Sequence, residues 1–153
     1  MERDEEFMTL ALSLAKEAAD EDEVPVGCVI VRDGQVIATG RNRRETAKNA
    51  LAHAEIEAIS DACRALGGWR LIGCTLYVTL EHCPMCAGAI VNARLPRVVY
   101  GAKDPRFGAM GSLFDVGEIP LNHKAEVTVG VLGEECSRML TDFFKKKRKP
   151  KAE

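Results

Sequence analysis

Apolar residues recur at helical spacing from the start of the chain. Phe7, Leu10, Leu14 and Ala18, with Ala11 and Ala15 beside them, predict an amphipathic helix over about 4–20. The pattern then shifts to a continuous apolar run at 26–31, which reads as a strand. Asp33-Gly34 is a two-residue hairpin signal, and 36–40 reads as the returning strand. The polar stretch 41–51 predicts a loop. Ile56, Ile59 and Cys63 share one face of a second helix over about 52–66, and Gly67-Gly68 ends it. Further strands are predicted at 75–79, 98–100 and 126–131, and further helices at about 83–93 and 134–148. Residues 102–112 form a Gly-containing loop, the kind of segment where binding residues often sit.

The predicted order is αββαβαββα. The first two strands form an antiparallel hairpin, and the later βαβ connections favour parallel neighbours through right-handed crossovers. The expected fold is therefore α/β, a five-stranded mixed sheet with helices on both faces. A chain of 153 residues without an internal repeat suits one domain, 1–153, with a basic tail at about 145–153. At 46% hydrophobic and 29% charged, the composition excludes intrinsic disorder. No uncharged run approaches the ~20 apolar residues of a membrane span. The acidic N-terminal segment is unlike a secretory signal, so the expected location is cytoplasmic.

Net charge is −2 and carries no nucleic-acid signal, but its distribution is uneven. Acids crowd Glu17, Asp20, Glu21, Asp22 and Glu23; bases crowd Lys145, Lys146, Lys147, Arg148, Lys149 and Lys151. Such a run either neutralises phosphates or is a solvated terminus.

Six cysteines are present. Cys28, Cys63 and Cys74 lie in apolar runs, where cysteine acts as a small hydrophobe. Cys83 and Cys86 form a Cys-x-x-Cys pair at a predicted helix start. Three residues apart on a helix, both sulfurs face one ion, and the helix N-terminus favours thiolate. His53, opening the preceding helix, adds an imidazole. One His and two Cys is a zinc set with the fourth position left for water. A closed structural site would need a fourth protein ligand at suitable spacing, and a thioredoxin-like redox pair would leave His53 and Glu55 unexplained. Glu55, two residues past His53, is placed to move a proton beside the metal, although a glutamate at a helix start also complements the dipole.

The combination of His53-Ala-Glu55 with Cys83-Pro-Met-Cys86 resembles the zinc-dependent cytidine and adenosine deaminase superfamily, whose signature is a general one for zinc deaminases. The resemblance runs nearly the full length and is strongest to the branch that acts on tRNA. Glu23-Val-Pro-Val-Gly27, Asn42-Arg43, Ala52-His-Ala-Glu55, Thr79-Leu-Glu81 and Cys86-Ala-Gly-Ala89 carry it. Gly101-Ala-Lys-Asp104, Gly108-Ala-Met-Gly-Ser112, Asn122-His123 and Phe143-Phe144 extend it. The resemblance implies a three-layer α/β/α cytidine-deaminase-like fold and one Zn2+ per subunit on His53, Cys83 and Cys86. Glu55 then matches the proton shuttle. Val26, Asn42 and Ala54 are expected at the target nucleotide, and Asp104, Asn122, His123, Phe143 and Arg148 along the RNA path. Asp104 also suits a plain turn, and Phe143 a core position. Two segments depart from the pattern. His82 stands where the family usually has proline, placing an imidazole beside the pocket, and Asn49-Ala-Leu51 replaces the usual residues before Ala52.

The implied reaction is hydrolytic deamination of adenosine to inosine at the wobble position of a tRNA anticodon, that of an arginine tRNA. A homodimer is the implied assembly, with a tRNA anticodon stem-loop as partner and no membrane. Two alternatives stay open: a zinc deaminase of free nucleobases or nucleosides, and an inactive zinc-stabilised RNA-binding module.

Overall fold

The computed structural model describes residues 2–148, and within them every side chain but those of Glu2 and Arg148. Lys149 and Lys151 of the basic tail, and the Arg148 side chain expected on the RNA path, lie outside the described residues.

The elements follow the expected order: α1 Glu2–Asp20, β1 Gly27–Arg32, β2 Gln35–Arg41, α2 Ala54–Leu66, β3 Cys74–Leu80, α3 Pro84–Asn92, β4 Arg97–Ala102, β5 Glu126–Val129 and α4 Gly133–Arg148. A single turn of 3₁₀ helix, Val116–Glu118, lies in the β4–β5 connection and was not foreseen. One sheet holds all five strands in the order β2-β1-β3-β4-β5. β1 pairs antiparallel with β2 and β3, whereas β3, β4 and β5 run parallel. Asp33 and Gly34 both take positive φ, 52° and 74°, at the tip of the hairpin.

Alternation along the central strands explains the three layers. Cys28, Ile30, Leu76, Val78, Val98 and Tyr100 pack into one core with Ala58, Ile59 and Ala62 of α2 and Ile90 of α3. Their neighbours Val29, Val31, Tyr77 and Val99 pack into a second core with Phe7, Met8 and Ala11 of α1 and Cys136 of α4. Strands buried on both faces read as continuous apolar runs. Gly40 on β2 lets α2 come close, since a Cβ there would lie 2.1 Å from the Ala54 carbonyl oxygen.

Boundaries differ from expectation for local reasons. His53 is extended (φ −79°, ψ 153°), so α2 starts at Ala54 rather than near 52. Cys83 is likewise extended before α3, with Pro84 in the first helical turn, where its missing N–H costs no hydrogen bond. Gly130, at φ 90°, follows the end of β5, two residues short of the predicted limit. No described helix is long and apolar enough to cross a membrane.

A buried ion pair ties the first helix to the sheet. Arg97 of β4 donates two hydrogen bonds to the Asp4 carboxylate, at 2.9 and 2.8 Å, and the Tyr77 hydroxyl donates a third at 2.7 Å. Arg97 also reaches Thr128 of β5 at 3.1 Å. The Arg97 hydrogen bond is the main reason the Asp4 carboxyl falls from 3.8 to about 2. Because the folded value lies below the unfolded one, this stabilisation is complete above about pH 4 and fades as pH falls through about 2; the gap corresponds to about 2 kcal/mol. Asp4→Asn is expected to lose about 2–3 kcal/mol at pH 7 and to flatten the fall in stability between about pH 4 and 2. Urea denaturation across that range checks it; an unaltered midpoint and acid limb would refute it.

Candidate active site

The β3–α3 connection and the start of α2 meet at one end of the sheet. His53 caps the N-terminus of α2, Cys83 caps that of α3, and Cys86 lies in the first turn of α3. His53 Nδ1 is 3.6 Å from Cys83 Sγ and 3.5 Å from Cys86 Sγ. The three ligand atoms all lie within 4.8 Å of one another. Tetrahedral bonds of about 2.3 Å to sulfur and 2.0–2.1 Å to nitrogen would separate N and S by about 3.5–3.6 Å. The group therefore fits a tetrahedral metal ion of that size without rearrangement.

The protons on this group are shared unequally. A hydrogen bond from Cys86 lowers the Cys83 thiol to about 3, with a further contribution from His53. The same bond and burial push Cys86 up, and the hydrogen bond to Cys83 raises His53. Glu55, only 4% exposed, sits beside them, and burial raises its carboxyl to about 7. A bound dication would supply the charge that the thiolate and the carboxylate lack.

His53, Glu55 and Cys83 line an open cleft of about 1150 Å³. Val24, Val26, Asn42, Arg44 and Ala50 form one wall. Lys103, Asp104, Pro105, Arg106 and Phe107 form another, and α4 closes the third with Ser137, Leu140, Thr141, Phe144 and Lys147. Four cations, Arg44, Lys103, Arg106 and Lys147, thus line the cleft together with the carboxyl groups of Glu55, Glu81 and Asp104, and Phe107 beside them is 64% exposed.

The expected site residues divide into two sets. His53, Glu55, Cys83, Val26, Asn42, Ala54 and Asp104 line the cleft, with Cys86 buried behind its floor. Asn42 is tied to the backbone: its Nδ2 donates to the Val24 carbonyl at 3.2 Å, and its Oδ1 accepts from Arg44 N–H at 3.2 Å. Asp104 makes a turn, its Oδ1 accepting from the N–H groups of Arg106 and Phe107 at 3.0 and 3.3 Å. Asn122, His123 and Phe143 do not line the cleft. His123 Nε2 lies 2.7 Å from the Leu95 carbonyl oxygen, and Phe143 packs edge-on to Phe144, the residue that does face the cleft.

His82 needs a correction. It does not stand beside the pocket but is completely buried, edge-on to Tyr100 with ring centroids 6.2 Å apart. The chain leaving β3 turns this side chain inward. Among the described residues neither ring nitrogen has a protein hydrogen-bond partner, and burial lowers the imidazole to about 4.

Sequence reasoning missed two buried carboxylates. Glu23, 1% exposed, accepts from the N–H groups of Glu45 and Thr46 at 3.1 and 2.6 Å and from the Thr46 hydroxyl at 2.6 Å, holding the loop that carries Arg44. In the sequence it stands at the end of a run of acids and opens Glu23-Val-Pro-Val-Gly27, a segment that carries the resemblance. Glu81 anchors the opposite loop. The sequence signals were an acid directly after an apolar strand and its place in Thr79-Leu-Glu81, one of the segments that carry the resemblance.

Three ligands and a buried glutamate beneath an open cleft, on a mixed sheet, define the class of metal-dependent hydrolytic deaminases. Comparison with known proteins agrees. Residues 2–148 match the family described as MafB19-like deaminase. The tRNA-specific adenosine deaminase of Bacillus subtilis is 52% identical over 152 residues, covering 99% of this chain and 94% of that protein. The enzyme of the same description from Haemophilus influenzae is 46% identical over 152 residues, covering 98% and 88%. A structure from a study of A-to-I editing by tRNA:A34 deaminases at the wobble position superposes with a TM-score of 0.84 at 46% identity, covering 88% of this chain and 99% of that one. The guanine deaminase of Nitrosomonas europaea is more distant, at 28% identity and a TM-score of 0.77, covering 91% and 83%. The chain belongs to the MafB19-like deaminase family, and it is similar at 46–52% identity to tRNA-specific adenosine deaminases.

Proposed function

We propose that residues 1–153 form one deaminase domain that converts adenosine to inosine at the wobble position of a tRNA anticodon, that of an arginine tRNA, in the cytoplasm. The observation that carries this reading is a His/Cys/Cys group and a buried Glu55 at an open cleft whose lining includes Arg44, Lys103, Arg106 and Lys147. A free nucleobase needs only a small closed pocket. A strand with a phosphate at each nucleotide needs an open, cationic one.

Zn2+ suits the ligands His53, Cys83 and Cys86, one ion per subunit, and when bound it activates water for attack at neutral pH. The residues of the chain do the rest. Asn42, Val26 and Ala54 border the place where the flipped base would lie. Glu55 takes a proton from the attacking water and delivers it to nitrogen 1 of adenine. Water oxygen bonds to carbon 6, and the carbon 6–nitrogen 6 bond then breaks. Glu55 takes the second proton from the new carbon 6 hydroxyl and passes it to the departing amine, so adenosine and water become inosine and ammonia. An anticodon loop makes extrusion of the base cheaper than a duplex would. The assembly in this reading is a homodimer.

Zinc-loaded protein is expected to form inosine at the wobble position of an arginine tRNA anticodon stem-loop, and to leave free adenosine, cytidine and guanine untouched. Turnover of the free compounds alone would transfer the protein to the small-molecule branch. Glu55→Ala should retain the metal and lose about 10²–10⁴-fold in rate, read as inosine by chromatography. Substantial residual activity would remove Glu55 from its role. Cys83→Ala and His53→Ala should instead lose bound metal, measured by elemental analysis, and fall in thermal midpoint.

A further inference from the structure

Glu81 follows directly on β3 and is 2% exposed. One carboxylate oxygen accepts from the Asp104 N–H at 3.1 Å, and the other from the N–H groups of Met110 and Ser112 at 3.0 and 3.1 Å. The Ser112 hydroxyl is a fourth donor. The main chain adds to the hold, as Ala109 N–H donates to the His82 carbonyl at 3.1 Å and Glu81 N–H to that of Ala102 at 2.8 Å. Gly108 is part of the same contact: a Cβ there would lie 2.4 Å from both the Glu81 carboxyl group and the Asp104 carbonyl oxygen. A buried carboxylate is tolerated only where donors replace water, and here every donor comes from residues 104–112. That segment carries Arg106 and the exposed Phe107 into the cleft wall.

We propose that Glu81 is a positioning residue for specificity. Its four hydrogen bonds hold residues 104–112 as a rigid wall, and so set the affinity of the cleft for a polynucleotide over a free nucleoside. This rests on the functional reading above, in which the cleft receives an RNA strand. Glu81 borders the cleft, but each of its oxygens already accepts from two loop donors, so it acts through the loop. Its loss therefore weakens binding of the strand rather than the chemistry at the floor. Glutamine in its place has only one acceptor oxygen, and its NH2 group would face N–H donors.

The test uses the zinc-loaded full chain, an anticodon stem-loop, and hydrogen exchange of residues 104–112. Glu81→Gln is expected to raise KM for the stem-loop about tenfold with kcat within about threefold, the signature of lost binding shared by ground and transition states. Metal content should stay at one ion per chain. Amides of 104–112 should exchange faster while those of β3 and β4 do not. Glu81→Asp, which keeps the charge and both oxygens, should recover part of the KM. Gly108→Ala attacks the same contact from the loop side, and the double variant should be no worse than the worse single one. If Glu81→Gln does not fold, Ser112→Ala, which removes one donor, and Gly108→Ala carry the test. A fall in kcat at constant KM, loss of metal, or unchanged loop exchange would each overturn the proposal. Wild-type protein inactive on any polynucleotide would overturn the functional reading and the specificity claim with it, while faster exchange in the variant would still establish that Glu81 holds the loop.

Discussion

Two helices must begin at the same point in space. His53 and Cys83 are 30 residues apart in the chain, yet their ligand atoms are 3.6 Å apart. Helix N-termini are the natural place for such a meeting, because their partial positive charge favours thiolate and their unpaired N–H groups tolerate polar surroundings. Much of the fold serves this requirement. The parallel crossover from β3 through α3 to β4 puts Cys83 and Cys86 at a strand end, and the small residues Gly40 and Ala54 bring α2 down onto β2. A shift of one helix by a single turn, about 5.4 Å, would separate the ligands beyond the reach of one ion.

Around this fixed floor, the walls are held by a different means. The loops on either side have little secondary structure of their own, and each is gathered onto one buried carboxylate, Glu23 or Glu81. Hydrogen bonds from several backbone N–H groups to one charged acceptor are directional and strong in a dry setting. They give irregular chain a defined shape where packing alone would leave it loose. The floor is thus made by helix geometry and the walls by ionic staples, and the two can change independently.

Much of this was legible in the residues. The element order, the hairpin at Asp33-Gly34, the mixed sheet and the ligand set follow from local patterns, because apolar periodicity and metal-ligand spacing are short-range signals. The elements that escaped depend on partners distant in sequence. Glu23 reads as one more acid in a charged run until Thr46 is brought to it, and Asp4 as a helix-start residue until Arg97 closes on it. His82 misled for a related reason: a polar residue beside a ligand suggests the pocket, whereas the direction of the chain leaving β3 sends it inward. Asn122, His123 and Phe143 were carried over by resemblance, and the cleft of this chain is lined without them.

The clamp between Asp4 and Arg97 spans 93 residues, and β1 lies between β2 and β3 rather than at an edge. A ribosome adding about 5–20 residues per second needs on the order of 5–20 s to make that span. α1 can rest on β1 early in that interval, and β1 exposes an edge until β3 is made, so the clamp at Arg97 closes after both. His53 likewise waits in the nascent chain for the two sulfurs that complete its site.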